Sequence, residues 1–294
     1  GTFFSMDINK KIQAASHSGA KLRVTQDNQN YLVEKSITSA IEKNYLGIKK
    51  QQNFKTIKTP SFDILAIPTI KIERSEHKLT ILMPYIDGLG GERVAYRGSK
   101  TVAKNLKIAL DFYLLNSIAK SEDGTYPVAD IQKKIEHIKS NLNKKDELFP
   151  LLSQQIDSFS AFCTKDLNIP LGECHGDLTL ANLKVTEDNQ LYLFDFLSCE
   201  INSPLQDAAK IIQDFEYGWS FRKEKESIRI KGEIFCEYAY PSFLKTLERL
   251  FWYEMRVIEI LTLLRIFPYI DEKDIITIDW FNRSIMKSMN KITR

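Results

Sequence analysis

The two runs that decide the fold are His-Gly-Asp-Leu-Thr-Leu-Ala-Asn at residues 175–182 and Leu-Phe-Asp-Phe at residues 193–196. Asp177 and Asn182 lie five positions apart in the first run, and Asp195 follows an apolar strand in the second. If the intervening segment folds back as a β-hairpin, these three oxygen-bearing side chains converge. Oxygen ligands of this kind suit Mg²⁺, which takes one or two protein ligands together with substrate phosphates. The two runs therefore predict a Mg²⁺ site with one further carboxylate available to orient a hydroxyl.

The spacing H-x-D-x-x-x-x-N, followed by D-F, resembles the catalytic core of the protein-kinase-like fold. Within that fold, the motif His-Gly-Asp resembles that of the aminoglycoside phosphotransferase and choline kinase family, whereas protein kinases have His-Arg-Asp. The resemblance implies that Asp177 orients the acceptor hydroxyl or receives its proton, and that His175 is a structural member of the loop. It also implies that Asn182 and Asp195 hold the metal ions that bridge the ATP phosphates, so ATP and Mg²⁺ are the expected cofactors. The alternative is a polar turn between helices, against which the spacing and the apolar strand argue.

The N-terminal part of the chain reads as β-strands with one helix. Residues 21–25 and 31–35 are β-prone runs separated by a polar loop, which predicts two antiparallel strands. Ser39 and Glu42 fit a capping box at the start of a helix. Apolar residues continue from there at helical spacing, at Ile41, Tyr45 and Ile48.

A boundary between two domains is expected at the glycine-rich residues 87–91, which follow β-like runs at 62–69 and 79–86. After this boundary, apolar residues recur at helical spacing except between residues 172 and 196. The predicted class is α+β, a protein-kinase-like two-lobe fold. It has a small antiparallel-sheet lobe with one helix, which binds nucleotide (residues 1–87), and a larger, mainly helical lobe for catalysis and acceptor binding (residues 88–294). Amphipathic helices are predicted at residues 100–118, 128–142 and 148–162, with polar loops between them at residues 120–126 and 143–146.

The resemblance assigns nucleotide-binding roles to residues of the small lobe. Lys35 lies where the family places the lysine that binds the α- and β-phosphates; the alternative is a solvated surface lysine. Glu42, in the helix that follows, is the expected ion-pair partner of Lys35, unless it only caps Ser39. Ser18 and Gly19 resemble the family's phosphate-covering flap, for which a plain hairpin turn is the alternative.

Residues 80–88 resemble the last strand of the small lobe and the hinge that contacts adenine. Met83 would line the pocket behind the adenine ring, and the backbone from Pro84 through Tyr85 to Ile86 would meet its edge. Because proline has no backbone N–H, the donor to adenine is Ile86 or a neighbour. An ordinary strand that leads into a glycine-rich loop is the alternative.

Asp207 follows Ser203-Pro204 at the expected start of a helix. The resemblance makes it a structural anchor of the catalytic loop. An acidic residue in the first turn, stabilised by the helix dipole, explains the same placement.

Composition and charge limit the function classes. The 294 residues are 43% hydrophobic and 27% charged, as in ordinary globular proteins. A net charge of +3 does not indicate a nucleic-acid partner. Residues 1–87 carry a net charge of +5, which suits a triphosphate ligand for the small lobe. The remaining residues carry a net charge of −2, which is too small to favour polycationic acceptors over sugars.

Four widely spaced cysteines, without a C-x-x-C pair, indicate reduced thiols. The most apolar long segment, residues 243–267, contains seven charged residues, so no membrane partner is expected. No secretory signal is recognised, and a cytoplasmic location is expected.

The function expected from these features is ATP-dependent transfer of the γ-phosphate to a hydroxyl of a small molecule, with a sugar or amino alcohol as the first candidate. Phosphorylation of a protein is one alternative, although no A-P-E segment and no long activation loop follow Asp195. A catalytically degenerate nucleotide-binding module is the other. The sequence does not indicate an oligomeric state.

Overall fold

The computed structural model describes residues 20–27, 30–142 and 147–293. Contacts between Cα atoms divide the chain into two units. The N-terminal unit comprises residues 1–94 and 175–200, and the helical unit comprises residues 95–174 and 201–294. This division differs from the sequence-based boundary at residue 87, because residues 175–200 are counted with the N-terminal strands. The assignment of nucleotide binding and catalysis to separate lobes stays a prediction.

The first sheet of the N-terminal unit is antiparallel and has the strand order β1-β2-β5-β4. The predicted hairpin is confirmed, with Val24 opposite Val33. Helix α1 (Ile41–Asn53) packs on this sheet through a core that includes Ile48 and Ile81. The strands are β1 (Lys21–Asp27), β2 (Asn30–Ile37), β4 (Lys71–Arg74) and β5 (Leu79–Pro84).

Helix α1 does not begin with the predicted capping box. Ala40 is the N-cap residue, in the left-handed region at φ 48°, and no side chain caps the first turn. The Asn44 side-chain amide donates instead to the carbonyl oxygens of Ala40 (2.9 Å) and Ser39 (3.3 Å). The prediction that Glu42 caps Ser39 is therefore wrong.

The second sheet of the N-terminal unit has the order β3-β10-β9-β6, and its strands β9 and β10 connect the two deciding runs. Strand β10 pairs in parallel with β3 and antiparallel with β9, as the predicted hairpin requires. Because β10 ends at Leu193, Asp195 lies just beyond the strand. The strands are β3 (Asp63–Ala66), β6 (Leu89–Gly90), β9 (Leu183–Val185) and β10 (Gln190–Leu193).

The helical unit also contains a small two-stranded sheet that the sequence analysis missed. Strand β7 (Glu122–Tyr126), expected to be a polar loop, pairs antiparallel with β8 (Leu167–Leu171). Gly124 leaves room for Leu171, whose Cδ1 atom lies 2.1 Å from where a Cβ on Gly124 would stand. A polar segment thus becomes a strand because a distant apolar partner pairs with it.

The remaining helical unit follows the predicted periodicity. Ser99 caps α3 by accepting from the backbone N–H of Val102, and Ser203 caps α6 in the same way, with Pro204 at its first position. Nowhere between residues 20 and 293, outside the two undescribed gaps, is a helix both long and apolar enough to cross a membrane. The helices are α2 (Gly91–Arg97), which runs across the division between the units, α3 (Lys100–Ala119), α4 (Val128–Lys139), α5 (Leu152–Phe162), α6 (Pro204–Phe215), α7 (Glu226–Ala239), α8 (Ser242–Leu250), α9 (Trp252–Leu264) and α10 (Ile275–Asn290).

Candidate active site

His175 joins the two deciding runs of sequence. Its Nδ1 atom accepts a hydrogen bond from the backbone N–H of Asp177 (3.0 Å). Nδ1 is therefore unprotonated, and Nε2 carries the hydrogen that it donates to the carbonyl oxygen of Phe194 (2.7 Å). The side chain is fully buried. The role of His175 as a structural member of the catalytic loop stays a prediction.

Asn182 holds the Asp177 carboxylate in place. Its Nδ2 atom donates to the Asp177 backbone oxygen (2.8 Å) and to Oδ2 of the same residue (2.9 Å). A short 3₁₀ turn, Leu180–Asn182, brings the amide back to the start of the loop. Since both amide hydrogens point to Asp177, Oδ1 of Asn182 is the atom that remains to bind a cation.

Asp195 lies beside Asn182 and pairs with Lys35. The backbone N–H of Phe194 donates to the carbonyl oxygen of Asn182 (3.1 Å), which places Asp195 next to the loop. Lys35 Nζ, on β2, donates to Oδ1 of Asp195 (2.9 Å). Asp195 has φ 54°, in the left-handed region that Asp adopts more readily than most residues. The structure thus brings Lys35, Asp177, Asn182 and Asp195 into one network.

The expected ion pair between Lys35 and Glu42 does not form. Glu42 lies near the exposed start of α1 and pairs with Arg74 on β4, whose guanidinium also stacks over the ring of Tyr45 at 4.5 Å. Lys35 finds its partner in Asp195 instead, with 13% of the lysine side chain exposed. The predicted pairing is wrong because Glu42, at the start of α1, meets Arg74 on β4, whereas Lys35 on β2 meets Asp195.

The predicted hinge offers one backbone donor. The Tyr85 N–H donates to the carbonyl oxygen of Tyr31 (2.9 Å), and Lys184 Nζ donates to that of Ile86 (3.0 Å). Across residues 20–27, 30–142 and 147–293, the Ile86 N–H finds no hydrogen-bond acceptor. Met83 packs against the core of the first sheet. Their roles toward adenine stay predictions.

Two further groups of predicted residues are the flap residues Ser18 and Gly19 and the anchor residue Asp207. Ser18 and Gly19 fall outside the described residues. Asp207 belongs to the helical unit, where it is fully buried in the first turn of α6 and accepts from the Tyr113 hydroxyl at Oδ2 (2.6 Å). Its role as an anchor of the catalytic loop stays a prediction.

Two residues of α1 contact the segment after Asp195 and were missed from the sequence. A Cβ atom on Gly47 would stand 2.1 Å from the carbonyl oxygen of Phe196, so the helix approaches the segment as closely as only glycine allows. Lys50 Nζ donates to the carbonyl oxygen of Leu197 (2.8 Å). A glycine within a predicted helix was the available signal, because it marks close packing.

The chain is similar to several solved structures of kinases. A putative fructosamine-3-kinase from Haemophilus somnus 129PT aligns at 11% identity with a TM-score of 0.51, over 93% of this chain and 88% of that one. A choline kinase from Streptococcus pneumoniae aligns at 13% identity with a TM-score of 0.49, over 98% and 99% of the two chains. An aminoglycoside phosphotransferase from Alicyclobacillus acidocaldarius aligns at 9% identity with a TM-score of 0.49, over 94% and 90%.

No protein-family model matches the sequence, and no curated protein matches it. The alignment with the putative fructosamine-3-kinase concerns the fold, since 11% identity carries no further conclusion. That shared fold, together with the antiparallel-sheet unit and the mainly helical unit, confirms the α+β, protein-kinase-like architecture predicted from the sequence.

Proposed function

We propose that this protein transfers the γ-phosphate of ATP to a hydroxyl group of a small molecule. The observation that carries the proposal is the network in which Asn182 holds the Asp177 carboxylate while Lys35 pairs with Asp195. Phosphoryl transfer needs few covalent steps from the protein. It depends on positioning the reactants and on neutralising charge, and these four side chains have the chemistry for both tasks.

Asp177 is the proposed catalytic residue. Its carboxylate would accept a hydrogen bond from the acceptor hydroxyl, orient it and receive its proton. The two hydrogen bonds from Asn182 fix the carboxylate and its backbone, which limits the motion of the base. His175 supports the same loop from the buried side through its bond to Phe194. Removal of such a base typically costs about 100-fold to 10,000-fold in rate.

The donor set fits Mg²⁺. Asn182 offers Oδ1, because its amide hydrogens are used, and Asp195 offers Oδ2, because Lys35 donates to Oδ1. One carboxylate and one amide oxygen, completed by phosphate oxygens and water, match the preference of this ion. When bound between Asn182 and Asp195, Mg²⁺ would supply positive charge that neutralises the phosphates. Lys35, already beside Asp195, is placed to contact the same phosphates.

For the acceptor, a sugar or sugar-derived alcohol is favoured over a quaternary amine. Two aromatic residues of the helical unit that could enclose a cation, Trp219 and Tyr217, are engaged in other contacts. Trp219 stacks edge-on with Trp280 (centroids 4.9 Å apart) and lies under the guanidinium of Arg222 (3.5 Å). Tyr217 is buried and donates to Glu259 (2.5 Å). The similar fold of a protein called a putative fructosamine-3-kinase agrees with a sugar-derived acceptor.

The experiment measures Mg²⁺-dependent ATP consumption across a panel of sugars, amino alcohols and aminoglycosides. Asp177→Asn is expected to lower acceptor-stimulated turnover by about 100-fold or more. Asp188→Asn is the matched control, since Asp188 is exposed in the turn between β9 and β10. Unchanged turnover in Asp177→Asn would contradict the proposal. Label transferred only to protein would favour a protein kinase, and ATP binding without any turnover would favour a degenerate module.

A further inference from the structure

We propose that Lys50 of helix α1 is a positioning residue for Asp195, through the backbone of the segment that follows it. The inference rests on the proposed function, in which Asp195 holds Mg²⁺. Lys50 Nζ donates to the carbonyl oxygen of Leu197 at 2.8 Å, two residues beyond Asp195. The same ammonium lies 3.8 Å from the Cys199 Sγ atom. The lysine is half-buried, so this charged donor acts where solvent screens it little.

The approach of α1 to this segment is built into its sequence. Gly47 lies one turn before Lys50, and its missing side chain lets the Phe196 carbonyl oxygen come to 2.1 Å from the position of a Cβ atom. One turn after Lys50, Phe54 packs edge-on against Phe196 with ring centroids 5.6 Å apart. Two consecutive turns of the helix and the residue that ends it therefore contact residues 196–197.

The catalytic loop contacts the same segment. The Leu197 N–H donates to the His175 carbonyl oxygen (2.8 Å). The Leu197 carbonyl oxygen lies 2.4 Å from where a Cβ on Gly176 would stand. The peptide that Lys50 binds is thus fixed between the helix and the loop that carries Asp177. This arrangement supports Asp195 in its left-handed conformation, a backbone region that residues other than glycine adopt only at an energetic cost.

Lys50 can position Asp195 through the Leu197 carbonyl oxygen and not through the Asp195 carboxylate. Lys35 donates to Asp195 itself and uses one of its two oxygens. Lys50 uses a backbone carbonyl, so it can restrain Asp195 while the second carboxylate oxygen stays available to a metal ion. Since Glu42 pairs with Arg74, the link between α1 and the site runs through Lys50 and Gly47.

The test compares Lys50→Met, which keeps the length of the side chain without its charge, with Lys50→Arg, which keeps a cationic donor. Lys43→Met is the control, because Lys43 is exposed on the same helix. Hydrogen exchange of residues 194–199 is measured without nucleotide. We expect about tenfold faster exchange in Lys50→Met, at least partial recovery in Lys50→Arg and no change in Lys43→Met.

ADP affinity is then measured with Mg²⁺ and with EDTA. Lys50→Met should weaken binding about tenfold with Mg²⁺ and less than twofold with EDTA. Unchanged exchange at residues 194–199 would overturn the inference, and so would an equal loss of affinity under both conditions. If the wild-type protein does not bind ADP with Mg²⁺, the proposed function fails and the metal-positioning role fails with it. If wild type binds and Asp195→Ala loses the Mg²⁺ effect while Lys50→Met keeps it, the inference fails alone.

Discussion

Replacement of Gly47 by alanine tests the close approach of helix α1 to the segment after Asp195. Gly47 is buried, and a Cβ atom there would stand 2.1 Å from the Phe196 carbonyl oxygen and 3.0 Å from its carbonyl carbon. Both neighbours are backbone atoms, which cannot rotate away as a flexible side chain would. The helix or the segment must therefore move by about 1 Å to restore an ordinary contact.

Two effects of opposite sign determine the change in stability. Alanine favours a helix interior over glycine by about 1 kcal/mol. The overpacked contact costs about 1–3 kcal/mol. We expect a net loss of about 1 kcal/mol in the free energy of unfolding, which corresponds to a fall in Tm of about 2–4 °C. The effect on Mg²⁺-dependent ADP affinity should be larger, about tenfold or more, because a displacement of this size at Asp195 misplaces a ligand.

Thermal unfolding and ADP titration with Mg²⁺ measure both effects. Gly90→Ala is the control, since no atom lies within 4 Å of its added Cβ, and it should differ little from wild type in both measurements. A Gly47→Ala protein that is about 1 kcal/mol more stable and binds ADP as wild type would refute the reasoning, because helix propensity alone would then explain it.

Two further predictions follow from the helical unit and the cysteines. Partial burial acts to raise the pKa of Asp274, but hydrogen bonds from Thr277 and the ion pair with Lys223 outweigh it and lower the pKa from 3.8 to about 2. Its stabilising contribution is therefore present above about pH 4 and lost as the pH falls toward 2. Urea unfolding of Asp274→Asn should show a loss of about 1 kcal/mol at pH 7 that shrinks by pH 3, and an equal loss at both pH values would contradict this. Burial raises the pKa of the Cys163 thiol to about 12, so iodoacetamide at pH 8 should label the half-buried Cys199 first, as peptide mapping can check.

Local signals were enough to predict most elements of the fold. The hairpin of β1 and β2 and the helix over Lys100–Ala119 follow from periodicity within a few residues. Strand β7 could not be predicted in this way, since its sequence is polar and its pairing depends on β8, more than forty residues later. Register with a distant partner is a property that a short window of sequence does not contain.

The candidate site could likewise be predicted from the sequence only in part. Motif spacing was sufficient to group His175, Asp177 and Asn182, which bond to one another within eight residues. Motif spacing was not sufficient to predict the hydrogen-bond acceptor of each lysine. Lys35 and Asp195 are 160 positions apart in the sequence, and Lys50 and Leu197 are 147 positions apart. Such pairs depend on how β2 and α1 contact the segment after β10, and the motif carries no information on those contacts.

The error over Glu42 concerns the choice of cation and not the face of helix α1. Helix residues advance by about 100° each, so the apolar residues Ile41, Tyr45 and Ile48 share one face and Glu42 lies about 100° away from Ile41. That stripe packs on the sheet that carries Lys35, and Glu42 beside it reaches Arg74 on β4 of the same sheet and not Lys35 on β2. The stripe therefore predicts which face of α1 meets the sheet, and it does not predict which cation of that sheet Glu42 meets. The stripe was the stronger signal, because several apolar side chains together determine how a helix faces its sheet, whereas a single carboxylate can pair with any cation within reach.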